Sequence, residues 1–329
     1  MNVLVLGGSR FVGWYIVHSL LKKGHQVSVF NRGRSNTDLP PEVEQLVGDR
    51  NTDLAALQGR TWDAVVDVNA YVPRQVRQIV EVLKGQVEHY MFISTVSVYA
   101  SDAAIPLSED SKLIELENPE TEEVTGETYG GLKVLCERTL AALWGEKHTV
   151  IRPGLVVGAR DLTFRFPFWA KRILEGGELI APDKPVSRVQ IVYARDLADF
   201  AVHALENRIY GTFNGAREPE LWGEVLREMV KQAGTDTQLT WVDSEFLLTE
   251  GVRPWVDLPI WLPEQPEYAG MLSISDHKAK QYGMTSSPLP EVIADILQWA
   301  KTQPDEAFKE GLSRARIEEI LQKWHTLHP

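Results

Sequence analysis

The chain has 329 residues, 43 % of them hydrophobic and 24 % charged; that length fits about two domains, and that balance excludes disordered, collagen-like and coiled-coil chains. Thirty-four Lys and Arg against 46 Asp and Glu give a net charge of −12, the wrong sign for a protein that neutralises phosphate backbones, so neither nucleic acid nor an anionic membrane is expected as a partner. A single cysteine, Cys136, forms no internal disulfide, the eight histidines show no zinc-like spacing, and neither a basic leader nor an apolar run of about 18 residues stands out, so a metal-free cytoplasmic protein is expected.

Val3 to Leu6 is a short aliphatic run ending in Gly7-Gly8, and a helical spacing of Val12, Ile16, Val17, Leu20 and Leu21 follows until Gly24. Val27 to Phe30 predicts the next strand, so the chain opens β-α-β. Asp63 to Val68 (strand), Arg74 to Leu83 (helix), His89 to Ser94 (strand), Tyr129 to Leu143 (helix) and Thr149 to Ile151 (strand) extend the alternation. Strands that are continuous apolar runs between helices predict a parallel sheet covered on both faces. The fold expected is α/β, with a Rossmann-type doubly wound dinucleotide-binding domain over residues 1–157. Within it, 101–128 carries nine acids and one base, Lys112, and is read as a solvated excursion, with an active-site flap as the alternative. Residues 158–329 are expected to be mainly a smaller substrate domain, with 189–206 returning to the first. Trp169 to Glu175 and Ala194 to Glu206 read as helices, Val189 to Tyr193 and Gly211 to Asn214 as strands, Trp241 to Pro263 as irregular, and Glu291 to Lys301 and Asp305 to Trp324 as closing helices.

A glycine-rich turn between a strand and a helix gathers free backbone N–H groups and the positive end of a helix dipole, which suits a pyrophosphate. Gly7-Gly8-Ser9-Arg10-Phe11-Val12-Gly13 has that context, although Arg10 or Phe11 takes the place of the usual middle glycine. The end of the second strand selects the dinucleotide, since an acid there binds a ribose 2′-hydroxyl and a base pairs with a 2′-phosphate. The residues are Asn31-Arg32-Gly33-Arg34, with Arg10 expected on the same side, so NADP is favoured and NAD stays open. The plain reading of these arginines is exposed loop charge.

Tyr129 and Lys133 are spaced i, i+4 on a predicted helix and share one face. A phenol with a pKa near ~10 is a poor base, but a neighbouring ammonium favours the phenolate. Ser94-Thr95 closes a strand, and strand carboxyl ends are where open α/β sheets hold ligands.

With these residues in view the chain resembles the extended and atypical short-chain dehydrogenase/reductases of the epimerase/dehydratase type. GGSRFVG is similar to their GGxGFxG fingerprint, and more so to a divergent branch with GG(S/T)RF(I/V)G that includes plastid RNA-associated proteins. The resemblance implies that Asp49 contacts adenine, that Asn69, Ala70 and Tyr71 form a cofactor wall, and that Thr95 with Ser94 beside it supplies the catalytic hydroxyl. It also implies that Tyr129 and Lys133 are the acid/base pair, that Pro153 and Gly154 pack near the nicotinamide, and that the chain can pair as a homodimer. The implied mechanism is hydride transfer to or from a small carbonyl/alcohol substrate, with Tyr129 moving the proton and Lys133 tuning it. The alternatives are an epimerase or dehydratase acting on a (nucleotide-)sugar with retained NAD, and a non-catalytic dinucleotide-binding or RNA-associated regulator. Trp241, Trp255 and Trp261 read as loop packing or as a substrate wall, and Cys136 as a buried small hydrophobe.

Overall fold

The computed structural model describes residues 1–34, 38–304, 307–308 and 311–328. Two compact units are formed: Met1–Val156 with Ala194–Arg217 and Ser273–Ser286, and Val157–Tyr193 with Glu218–Leu272 and Ser287–Pro329.

The first unit is built on seven parallel strands. They are β1 (Asn2–Leu6), β2 (Gln26–Asn31), β3 (Glu44–Val47), β4 (Trp62–Asp67), β5 (Val87–Ile93), β6 (His148–Pro153) and the strand Gly211–Gly215. Their order across the sheet is the Gly211–Gly215 strand, then β6, β5, β4, β1, β2 and β3, the Rossmann arrangement with its reversal of strand order between β1 and β4. Val3, Leu4, Val5, Val65, Val66, Tyr90, Met91 and Phe92 are fully buried or nearly so, as strands covered on both faces require. Leu6 is in register with Phe30 and Asp67, and Asp67 with Phe92, so the chain leaves four neighbouring strands at nearly one level.

Three helices matter most for the edge above those strand ends. α1 (Phe11–Lys22) follows the glycine turn, and Gly24 at φ +79° lets the chain reverse after it. α2 (Pro73–Leu83) opens with proline in its first turn, where the missing N–H costs nothing. α3 (Tyr129–Trp144) ends before Gly145 at φ +83°.

Two segments return to this unit rather than the one expected. The helix Ala194–Glu206 packs on α1, with Ser19 donating to Asp199, and the Gly211–Gly215 strand pairs with β6; the return therefore begins at Ala194, not at 189. Ser273–Ser286 returns because Leu107 and Ile274 bridge, the Leu107 N–H donating to the Ser273 carbonyl and the Ser275 N–H to that of Leu107.

Residues 101–128 are not a free solvated excursion. Ala100 and Ile114 donate backbone N–H groups to Lys112 and Val98, Leu107 is buried, and Leu116 lies on α3, where a Cβ on Gly131 would come within 2.4 Å of its Cγ. Most of the charges are exposed, Glu109 instead accepts the Asn214 N–H at 2.7 Å, and the intervening Leu107, Ile114 and Leu116 supply the apolar grip.

In the second unit, Glu178–Pro182 pairs in parallel with Gln238–Val242, and helices Arg165–Glu175, Trp222–Ala233, Leu289–Thr302 and Arg314–Leu327 surround a core that includes Phe166, Phe168 and Trp169. The 241–263 stretch is thus partly regular: it contains the end of that second strand and a helix at Ser244–Thr249. Trp261 is buried and donates its indole N–H to Asp183 at 2.7 Å. The last helix starts at Arg314; the start expected at 305 lies outside the described residues. Among the described residues no helix is long and apolar enough to cross a membrane, and no group of three or more His, Cys, Asp or Glu could hold a metal ion.

Candidate functional site

A cavity of about 560 Å³ opens at the carboxyl ends of β1, β2 and β4, lined by the glycine turn, the end of β2 and the loop after β4. That volume is within the usual range for small-molecule sites. Gly7, Ser9, Arg10, Phe11, Val12, Asn31, Arg32, Arg34, Asp49, Asn69 and Tyr71 all stand on its wall, so the sequence motifs meet in one place.

The turn shows why glycine is needed at some positions and how it is missed at another. Gly7 has φ +88°, and a Cβ there would lie 2.9 Å from Asn69 Cγ. A Cβ on Gly13 would lie 2.4 Å from the Gly7 carbonyl oxygen, so α1 approaches β1 only because that side chain is absent. Gly8 faces inward against Val17, Val29 and Val5 rather than the cavity. Phe11 opens α1 at φ +35°, a left-handed conformation that glycine would adopt freely. Its ring lies edge-on to Tyr15 with centroids 6.5 Å apart, and a cavity remains in front of the turn.

The charge on the wall is mostly positive. Arg32 and Arg34 are exposed beyond β2, where Asn31 Oδ1 accepts the Gly33 N–H at 2.8 Å. Asp49 accepts the Asn51 N–H at 2.9 Å, and that hydrogen bond, with Arg32 and Arg34 nearby, holds its carboxyl below the usual range. Arg50, beside it, is buried and makes a bidentate pair with Asp67 at 2.8 and 2.9 Å. Burial alone would raise the Asp67 carboxyl; the Arg50 guanidinium outweighs it and keeps Asp67 ionised.

At the far end of the wall, Tyr71 lies 6.3 Å from Tyr129 between ring centroids and 5.8 Å from Lys133 Nζ. Lys133 is 2 % exposed, donates to the carbonyl oxygens of Ala70 at 2.9 Å and Ile93 at 2.8 Å, and sits 4.0 Å above the Phe92 ring. Burial lowers its ammonium pKa to about 8. Thr95, just past β5, accepts the Ser97 N–H at 3.1 Å and caps a short turn. The glycine pair after Tyr129 lets the first turn of α3 lie close beneath its neighbours, since a Cβ on Gly130 would clash with the Ser97 carbonyl oxygen.

The other nine candidates, Gly8, Gly13, Ala70, Ser94, Thr95, Tyr129, Lys133, Pro153 and Gly154, sit off the cavity wall. Ala70 is fully buried and contributes its carbonyl to Lys133. The Ser94 hydroxyl is turned inward onto Glu137, which in turn forms a bidentate pair with Arg152, the closest contact being 2.7 Å. Pro153 and Gly154 end β6, where the Gly154 N–H donates to the Gly215 carbonyl at 2.9 Å. Gly13 serves the α1–β1 approach described above. Cys136 is buried and its thiol is pushed up to about 12 by that burial, so it is a packing residue and not a nucleophile.

Arg50, Asn51 and Gln75 also line the cavity and were not among the expected residues. Gln75 Oε1 accepts the Tyr71 N–H at 2.8 Å and its amide donates to Asn51 at 3.0 Å. The available signal for Arg50 was its place directly after Asp49 in a motif that already pointed at the cofactor.

Comparison with known proteins agrees with this architecture. The chloroplast stem-loop binding protein of 41 kDa b from Arabidopsis thaliana is 26 % identical over 222 residues, 63 % of this chain and 55 % of that protein. A UDP-glucose 4-epimerase from Lactobacillus helveticus is 28 % identical over 188 residues, 48 % of this chain and 53 % of that protein. The chain thus spans little more than half the length of either relative. The crystal structure of UDP-glucuronic acid 4-epimerase from Bacillus cereus in complex with NAD superposes with a TM-score of 0.64 over 92 % of this chain and 99 % of that one, at 20 % identity, a likeness of fold. The model of the NAD dependent epimerase/dehydratase family matches residues 3–215, and the chain belongs to that family.

Proposed function

We propose that the protein binds a nicotinamide dinucleotide, NADP in preference to NAD, and carries out redox chemistry on a small carbonyl or alcohol substrate with Tyr129 as the acid/base. The observation that carries this reading is the grouping of Tyr129 and Lys133 around Tyr71, which is a wall residue of the cavity that begins at the Gly7 turn.

The residues present fit such a cofactor. Gly7 and Gly13 let the turn close tightly against Asn69 and β1, and at the amino end of α1 the wall residues Ser9, Arg10, Phe11 and Val12 would face a pyrophosphate. Asp49 would meet the adenine, Asn69 and Tyr71 would wall the cofactor, and Arg32 and Arg34, with Arg10, would pair with a 2′-phosphate. When bound, the dinucleotide supplies two-electron chemistry at its nicotinamide ring. Tyr129 exchanges the proton of the substrate oxygen. Lys133 lies one helical turn away on the same face and favours the phenolate while it remains an ammonium; two of its protons are committed to carbonyls and the third is left for a ribose hydroxyl. Thr95 offers its hydroxyl to the substrate oxygen.

Tyr129→Phe is expected to lower turnover by at least about 100-fold while NADPH affinity, followed by fluorescence titration, stays the same. Undiminished turnover would refute the role. A second reading, an epimerase or dehydratase of nucleotide sugars with retained NAD, is supported by the family description and by the NAD-bound UDP-sugar epimerase of the same fold. Mass measurement of the nucleotide that co-purifies, together with net cofactor consumption during turnover, separates the two. A stem-loop RNA partner, as in the name of the plant relative, is opposed by the −12 charge; steeply salt-dependent stem-loop binding would reinstate it.

A further inference from the structure

We propose that Arg50 is a positioning residue for the dinucleotide: anchored on Asp67, its guanidinium holds the Asn69 side chain against Gly7 and so fixes the shape of the phosphate turn. This rests on the dinucleotide reading above.

Arg50 is 8 % exposed and still forms part of the cavity wall. A cation is kept that deep only by close pairing, which Asp67 provides through both carboxylate oxygens. Beyond that pair, Arg50 reaches further than charge balance requires. Its Nη1 also donates to Asn69 Oδ1 at 2.5 Å and its Nη2 to the Gln75 carbonyl at 3.3 Å, while Nε is buried without a partner.

Asn69 has little room to respond, since its Cγ already stands 2.9 Å from where a Gly7 Cβ would be, and its N–H is tied to Asp67 at 3.2 Å. The neighbouring residue is held from the opposite side, where Lys133 binds the Ala70 carbonyl. Residues 67–71 are therefore gripped between two buried cations, one beside the adenine-side loop and one on α3.

The turn needs such support because its usual middle glycine is missing and Phe11 occupies φ +35°. A bulky residue keeps that conformation only when its surroundings over-determine it. A side-chain amide pressed on Gly7 from across the turn is such a constraint.

NADPH and NADH are titrated into the wild-type full chain, Arg50→Lys, Asn69→Ala and the double variant, with thermal unfolding measured alongside. Lysine keeps a charge for Asp67 but lacks the fork needed to reach Asn69 as well. Each single change is expected to weaken binding about tenfold, the size of one lost charge-assisted hydrogen bond, and the double change no more than either single one. Asn69→Ala binding within about twofold of wild type, or losses that multiply in the double variant, would overturn the role of Arg50. Should Arg50→Lys fail to fold, Arg50→Gln takes its place in the cycle, because Asn69→Ala alone also removes a wall residue and can only overturn the proposal, by binding within about twofold of wild type. Wild-type protein that binds neither dinucleotide overturns the reading beneath the proposal; tight wild-type binding with indifferent variants overturns only the proposal.

Discussion

The two ends of the first unit's carboxyl edge handle charge in opposite ways. At the β2 end, Arg32 and Arg34 project into solvent beside a roomy cavity. At the α3 end, Lys133, Glu137 and Arg152 are buried, and their hydrogen bonds go to Ala70, Ile93, Ser94 and Tyr99. Exposed cations cost little to keep and are free to meet an incoming anion, whereas a buried ion must already be satisfied and contributes by holding geometry. One end is suited to capture, the other to alignment.

This contrast predicts large effects at the buried end. Lys133→Met is expected to lower turnover by about 10²–10⁴-fold. In the wild type the rate should fall as pH rises through about 8, where Lys133 loses its proton, and the variant's residual rate should lack that limb. A pH–rate profile of both proteins checks this. Glu137→Ala would leave the Arg152 guanidinium buried without its carboxylate, and urea unfolding should report a loss of about 3–5 kcal/mol.

A buried group elsewhere in the sheet sharpens the comparison through pH. His89 on β5 is 3 % exposed, bonded to Thr149 at 2.7 Å, and burial depresses its pKa from 6.5 to about 4. The unfolded chain therefore binds the extra proton first. The associated stability is complete above pH 6.5 and is lost as pH falls to about 4, by about 3 kcal/mol. Denaturation at the two pH values should show that loss in the wild type and a much flatter response in His89→Gln.

The smallest effect is expected at the exposed end. Replacing Arg32 and Arg34 together by alanine should weaken NADPH about tenfold, leave NADH nearly unchanged and leave the melting temperature where it was. Equal losses for both dinucleotides would break the assignment of these arginines to a 2′-phosphate.

Much of the first unit is legible in local sequence because its elements carry their own signals. The helix Ala194–Glu206 falls at the residues expected, and the apolar runs at Val3, Val27, Asp63 and His89 lie on observed strands. β3 escapes notice because Glu44–Val47 is a mostly exposed edge strand with no apolar alternation. Glu178–Pro182 and Gln238–Val242 are strands chiefly because they pair with each other across 60 residues. The helix Trp222–Ala233 buries Val225, Leu226 and Met229, a helical spacing that the sequence reading leaves unassigned. Much of the cavity wall could be read from motifs, since Gly7, Ser9 to Val12, Asn31, Arg32, Arg34, Asn69 and Tyr71 all fall at or just after strand ends. The buried pairings of Arg50 and Glu137 could not, because their partners lie elsewhere in the chain: Asp67 is 17 residues from Arg50, and Ser94 is 43 from Glu137.

The strand Gly211–Gly215 and the return of Ser273–Ser286 have a consequence for biosynthesis. A ribosome must synthesise the chain through Gly215 before the sheet has its last strand, and through Ser275 before Leu107 has its backbone partners. During translation the nascent amino-terminal half therefore carries an unpaired β6 edge, exposed to chaperones until most of the polypeptide has emerged.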